Sequence, residues 1–258
     1  KISYASLLRS RTTPSGNSGS IFSSINSRLF KGSIPQLVGQ TVTISNPLGE
    51  DFSIMRTTPL NGMLTSLAFN YNHRNKDVRL YELGNVYLPK DLPLTDLPDE
   101  RMQFTLGMYG EGDFFTLKGV VEELLERLGI WSRKTYDPSD KKPFLHPGRQ
   151  ADIFCGKEKL GYLGEVHPLV ASAYGIGEKA YIAVIDMPQV TKLATFDRKF
   201  EGITRYPAVS RDISMVVPKS VLAGQIEEMI LQRGGKILES CHLFDLYEGV
   251  QIKPGFKS

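Results

Sequence analysis

The sequence predicts an α+β fold in which helices pack on a largely antiparallel sheet. Three observations carry that prediction. Short stretches with apolar residues at alternate positions recur between turn residues, as in Gln103–Gly110 with Phe104, Leu106 and Met108. Two longer stretches before residue 190 place apolar residues at helical spacing. No glycine-rich phosphate loop sits on a strand–helix junction.

The elements follow in order. Residues 9–36 are expected to be flexible, because Arg9–Arg28 is rich in Ser, Gly, Thr and Asn. Thr41–Ile44 alternates like a strand, and Asn46-Pro47 punctuates it. Thr58 is placed to cap a helix whose first turn takes Pro59, where a missing N–H costs nothing. Leu60, Met63, Leu64, Leu67 and Tyr71 give that helix its buried face. Val78–Leu88 reads as a strand with Gly84 as a bulge. A Pro-rich loop over residues 89–100 leads to the next strand.

The helix around Phe114–Ile130 has the clearest signature. Leu117, Val120, Val121, Leu124, Leu125 and Leu128 form one stripe, and Gly129 stands at the C-terminal cap. Glu122, Glu123, Glu126 and Arg127 read as its solvated face rather than a metal site. Three strands follow, Arg149–Cys155, Glu158–Val166 and Ala180–Met187. From Asp197 the character changes. A strand at Asp212–Val217, a helix capped by Ser220 with Leu222, Ile226, Met229 and Ile230 on one face, and a long strand at Lys236–Val250 read as a split β-α-β unit cut short.

The bulk numbers bound the function. At 258 residues, 41% hydrophobic and 23% charged, the chain has room for one large domain or two smaller ones. Lys1 in place of an initiator Met is expected of a processed form or an excised fragment. No apolar run reaches the roughly 18 residues of a membrane span. Two cysteines, Cys155 and Cys241, make no disulfide framework, so a cytoplasmic setting is expected. The net charge is +3, yet residues 1–49 hold Lys1, Arg9, Arg11, Arg28 and Lys31 and no acid. The remainder is therefore −2, and any contact with nucleic acid there needs a local patch.

Few residues point to chemistry. No G-x-S-x-G elbow is present, and the His and Cys spacing fits no common zinc pattern. His146 and His167 each precede a proline and shape turns, with a ring nitrogen bonded to backbone, unless they serve in acid–base catalysis. The stretch from Arg198 to Arg211 interleaves Arg198, Lys199, Arg205 and Arg211 with Phe200 and Tyr206. Cations neutralise phosphates and aromatic rings stack on unpaired bases, so this stretch is the candidate RNA surface. The competing reading is a linker with a local Arg211-Asp212 pair.

Six segments in order, from Ile44–Asn75 through "VRLYELGNVY", "GDFFTLKGVVEELLERLG", "HPGRQADI" and "LGEVHPLV" to "RYPAVSRDISMVV", carry a resemblance. Over residues 41–258 the chain resembles the β subunit of bacterial-type phenylalanyl-tRNA synthetases. The resemblance implies an inactive class II synthetase-like module over residues 1–190 and a truncated ferredoxin-like anticodon-binding domain over 197–258. It implies as partners a catalytic α subunit and tRNA(Phe), and ATP with Mg as cofactors of the holoenzyme only. It implies no catalytic or metal residues here. The class II glycine-rich run ending in Glu-Arg has its nearest counterpart in "GIGEKAYI", without the Glu-Arg pair, and "VRLYELG" offers Glu82 but no phosphate-clamping arginine.

In this light Asn46, Pro47, Arg56, His146, Arg149, Glu165 and His167 are structural or subunit-interface candidates. Glu50-Asp51 and Arg56 are expected to hold a turn or meet the partner subunit. Two other classes stay open: a free-standing RNA-binding or interaction module, and a small-molecule enzyme whose His146, His167 and Glu165 converge in one pocket.

Overall fold

The computed structural model describes residues 41–49, 53–91, 93–130, 134–197, 200 and 207–258. The flexible segment expected at 9–36 lies outside them. The chain divides into two units, 1–197 and 198–258.

The first unit is built on a six-stranded antiparallel sheet. Its order is β1 (Val78–Leu88), β2 (Asp99–Tyr109), β6 (Ala180–Asp186), β5 (Glu158–Val166), β4 (Leu145–Cys155) and β3 (Lys134–Pro138). The short edge strand β3 has no counterpart in the sequence reading. Helix α1 (Leu60–Asn72) and the short α3 (Pro168–Ala173) belong to one face, where Leu60, Met63, Leu64 and Leu67 meet Tyr109, Leu145, Val166, Ile182 and Val184. Helices α2 (Phe114–Arg127) and α4 (Met187–Leu193) cover the other, where Leu117, Val121, Leu125 and Val190 meet Met108, Ile153, Leu163, Tyr181, Ala183 and Ile185. Because both faces are covered, β6 is buried from Ala180 through Ile185 and reads as an unbroken apolar run. Each fully buried aliphatic side chain contributes about 1.5–3 kcal/mol.

Helix ends follow local chemistry, with corrections. Asp113 caps α2: its Oδ1 accepts from Thr116 N at 2.9 Å, and Thr116 Oγ1 accepts from Asp113 N at 3.2 Å. Those bonds hold the Asp113 carboxyl below its usual range. Gly129 closes the helix at φ 80°, and a Cβ there would lie 2.0 Å from Thr195 O. Val120 departs from the expected stripe and is exposed, because it points about 100° round the helix from the centre of the Leu117, Val121 and Leu125 line. The acidic face is paired as expected of a solvated helix surface: Glu122 with Lys118, Glu123 with Arg127, Glu126 with Lys134. At α1, Pro59 itself occupies the N-cap, and Thr58 Oγ1 reaches only Leu60 N, at 3.4 Å. The threonine is one residue too early to cap the turn.

The second unit departs further from expectation. Among its described residues only Val217–Pro218 (β7) and Phe256–Lys257 (β8) pair as strands, and Tyr247 exchanges two backbone bonds with Ser258. The strands expected at 212–217 and 236–250 are otherwise irregular, because a strand exists only where a neighbour takes its N–H and C=O groups. Helix α5 (Ala223–Gly234) is present, starting after Leu222, whose N–H bonds Gln225 Oε1 at 2.9 Å, rather than from a Ser220 cap. It buries no residue.

Candidate functional site

Arg56 answers for its stretch through backbone geometry. Residues 42–44 and 53–55 run antiparallel, joined by Ile44 N–Ser53 O and Met55 N–Val42 O bonds of 2.8 Å. Asn46 and Pro47 sit at the exposed tip beside Leu48, which is 99% exposed. Glu50 and Asp51 lie outside the described residues. The ladder delivers Arg56 to the edge of β1, where its carbonyl accepts from Tyr87 N at 2.9 Å. Its Nε donates to Asn85 O at 2.7 Å, and its Nη1 pairs with Glu82.

Gly84 is the seat of this contact. A Cβ there would lie 2.2 Å from Arg56 Nη2. The expected bulge is absent, since β1 and β2 pair without a register shift from Val78–Tyr109 to Leu88–Asp99. The glycine is needed for close approach, not for a kink. Gly84→Ala is therefore expected to displace the guanidinium and to cost about as much as Arg56→Ala, roughly 1–2 kcal/mol. Chemical denaturation of the two single variants and the double variant checks this. The double variant should lose little more than either single one.

A row of paired residues crosses the α1 face of the sheet: Glu82, Thr105, Val184, Tyr162, Asp152 and Asp137. This face is filled from within the chain. Glu82 is held by Arg56. Asp152 is held by Lys142 and, at 2.8 Å, by Lys159. Lys142 Nζ also stands 4.7 Å from the Tyr162 ring centre, and its backbone is clamped by Gln150 through two 3.2 Å bonds. Burial pushes the Lys142 ammonium below its ordinary range despite Asp152. Burial works to raise the Asp152 carboxyl, but the lysine hydrogen bonds outweigh it and hold the carboxyl low. Burial, then the charge of Asp152, raises the Tyr162 hydroxyl. Leu60 and Val184 close the centre of the row.

Sequence reasoning missed Asp152 and Lys142. A signal was present: Gln150 and Asp152 alternate with Ala151 and Ile153 in a strand buried on both faces. A carboxylate at that phase requires a cationic partner.

The two histidines do not meet. His146 Nδ1 accepts from Gly148 N at 3.1 Å, and His167 Nδ1 accepts from Leu169 N at 3.2 Å, at the start of α3. His146 to Arg149 is looped out of β4, between the Leu145–Val166 and Gln150–Gly164 pairs. Arg149 then reaches back to β5, its Nη1 2.7 Å from Glu165 Oε2. Glu165 is buried and Arg149 is half-exposed. Glu165 lines a cavity that neither histidine enters, so no acid–base cluster forms.

Of the basic–aromatic stretch, Arg198, Lys199, Arg205 and Tyr206 lie outside the described residues. Arg211 is exposed and donates to Ser210 O at 2.9 Å. The local Arg211-Asp212 ion pair is absent among the described residues, because the guanidinium turns back on the preceding carbonyl.

The six-stranded antiparallel sheet with helices on both faces is a fold that the first unit shares with solved tRNA synthetases. Two solved structures share it, both of pyrrolysyl-tRNA synthetase from Desulfitobacterium hafniense. The TM-score is 0.53 for each over 66% of this chain and 58% of theirs, at 13% and 14% identity, which speaks for the fold alone. Sequence comparison is more specific. A family model for the phenylalanyl tRNA synthetase beta chain CLM domain matches residues 22–187, and one for the ferredoxin-fold anticodon binding domain matches 204–258. The chain belongs to the phenylalanyl-tRNA synthetase β-chain family. It is similar to the phenylalanine–tRNA ligase beta subunits of Clostridium acetobutylicum, at 46% identity over 84% of this chain, and Clostridium tetani, at 44% over 84%. That of Bacillus subtilis is 34% identical over 82%. The chain spans 27% of the length of each of these relatives.

Proposed function

We propose that this chain is a non-catalytic portion of a phenylalanine–tRNA ligase β subunit, supporting assembly with a catalytic α subunit and binding of tRNA(Phe). The observation that carries the reading is the occupied sheet face. Class II chemistry needs an open face with an arginine for the ATP α-phosphate. Here Leu80 stands two residues before Glu82 on that face, and α1 packs its apolar side chains against the sheet. The cations near the row, Arg56, Lys142 and Lys159, are spent on Glu82 and Asp152. The residues present do not fit ATP with magnesium. Among the described residues no three His, Cys, Asp or Glu side chains gather as a metal site.

The exposed residues Asn46, Pro47 and Leu48 are the proposed subunit contact in this reading. The segment from Arg198 to Arg211 supports an RNA contact through its spacing of cations and aromatic rings. The proposed setting is cytoplasmic, which the two free cysteines suit.

The test is tRNA binding by the purified chain, alone and with a phenylalanyl-tRNA synthetase α subunit, across a salt series. Binding should weaken with salt, and Arg205→Ala or Arg211→Ala should each lower the salt slope by about 1. Stable association with the α subunit but no RNA binding would leave the chain an assembly scaffold. Association with neither would refute the reading.

A further inference from the structure

The two His-Pro turns have no part in the reading above, and they are built alike. In each, the proline after the histidine has no N–H, so the next backbone donor is the amide of the residue beyond it. Proline also holds the residue before it extended, as at His167 with φ −58° and ψ 133°. The ring nitrogen Nδ1 then accepts from the amide two residues on, Gly148 N for His146 and Leu169 N for His167. An asparagine side chain closes an Asx turn in the same way.

The turns also share one place in the sheet. His146 follows Leu145 and His167 follows Val166, and Leu145 is paired with Val166. His167 N donates to Phe144 O at 2.9 Å, and Leu145 N donates to Lys142 O at 3.0 Å. One ring therefore fixes the start of the looped-out segment 146–149 and the other the start of α3, on either side of the same strand pair.

Both bonds need a neutral imidazole with its proton on Nε2. A protonated ring carries an N–H on each nitrogen and accepts nothing. His73 is the contrasting case: its Nδ1 lies 2.8 Å from Phe69 O, a bond that a protonated ring still makes.

We propose that the two His-Pro turns form a pH-sensitive latch on the β4–β5 end, closed while both rings are neutral and released in mild acid when both take up a proton. What the latch controls is the shape of the segment 146–149, where Pro147, Gly148 and Arg149 are exposed. The charged groups around it leave the rings to act. Arg149 on the looped segment pairs with Glu165 of β5, and Lys142 on the turn before β4 pairs with Asp152. Asp140 and Lys141 on that turn are exposed, α3 has no ionisable side chain, and Glu178 and Lys179 beyond it are exposed. Among the described residues none of these is ion-paired with either ring.

The experiment is amide hydrogen exchange by NMR on the whole chain at pH 7.5 and pH 5. Histidine changes charge across that interval while carboxylates of ordinary acidity stay ionised. Exchange is read as protection factors, which removes the intrinsic effect of pH on exchange. In the wild type the factors of the Leu145, Gly148, His167 and Leu169 amides are expected to fall about tenfold at pH 5. The double variant His146→Asn with His167→Asn keeps an acceptor that does not titrate, and should hold its protection at both pH values. The double variant His146→Ala with His167→Ala has no acceptor, and should be poorly protected at both. Ring ¹⁵N shifts at pH 7.5 should place the proton of both histidines on Nε2. The proposal is overturned by wild-type protection that is equal at the two pH values, by a fall of the same size in the asparagine variant, by full protection in the alanine variant, or by a proton on Nδ1. The latch is independent of the synthetase reading, so either can fail alone.

Discussion

Asp152→Asn is expected to cost about 2–3 kcal/mol at pH 7. The carboxylate is buried and shared by two lysines, of which Lys142 is nearly as buried. Removing the anion leaves the Lys142 ammonium without its counter-charge, the costly half of breaking a buried pair. The estimate sits below the usual range for such breaks because Lys159 is half-exposed and takes up water instead. The sign of the pH dependence separates this from a packing loss. The Asp152 carboxyl is held below its ordinary range, so its stabilisation is complete above about pH 4 and is lost as pH falls through the lowered value. The deficit of the variant should therefore shrink in acid. Lys142 is also held low, and a lysine with a lowered folded pKa favours folding increasingly as pH rises toward 10. Without Asp152 that lowering deepens, so the variant should recover more stability than wild type between pH 7 and 10. Urea melts at pH 3, 7 and 10 check all three statements.

Gly161→Ala should be the most damaging change in the sheet that adds a single methyl group. Gly161 lies in β5 opposite Ile185 of the central strand β6. A Cβ there would stand 2.1 Å from the Val184 carbonyl oxygen and 3.0 Å from Ile185 Cα. These are backbone atoms of a strand buried on both faces, and they cannot turn aside as Arg56 can at Gly84. A loss of about 3 kcal/mol or more is expected, as for other overpacked cores. Gly119→Ala is the matched control. It lies on the exposed surface of α2 with nothing within 4 Å of a Cβ, and should stabilise by about 0.5–1 kcal/mol. Thermal melts of the two variants should shift in opposite directions.

The contrast among these glycines shows where sequence reading succeeds. The stripe on α1 was legible because Leu60, Met63, Leu64 and Leu67 are spaced for one helix face and nothing else competes. The cap at Gly129 was legible because a positive φ has a local signature. Gly84 was misread because its reason lies 28 residues upstream, in a guanidinium that no local pattern reports. The same holds for the site. Lys142 and Asp152 pair across a turn, and only the register of β4 puts the carboxylate on the covered face. Residues 212–217 and 236–250 alternate as strands do, yet most of them find no neighbour among the described residues. Alternation states a capacity to pair, and pairing itself is a tertiary fact.

The occupied face of the sheet also bears on what this module can become. Opening a nucleotide pocket there would require Lys142, Asp152 and Lys159 to be replaced together, and Arg56 with Glu82 as well. Replacing Asp152 or Lys142 first leaves a largely buried charge short of its partner. Each such intermediate is less stable than the starting protein, and one or two kcal/mol is a large fraction of a domain's margin. The ion pairs thus act as a lock on the face they cross. A sheet face held by charges that span several strands resists stepwise opening in either direction.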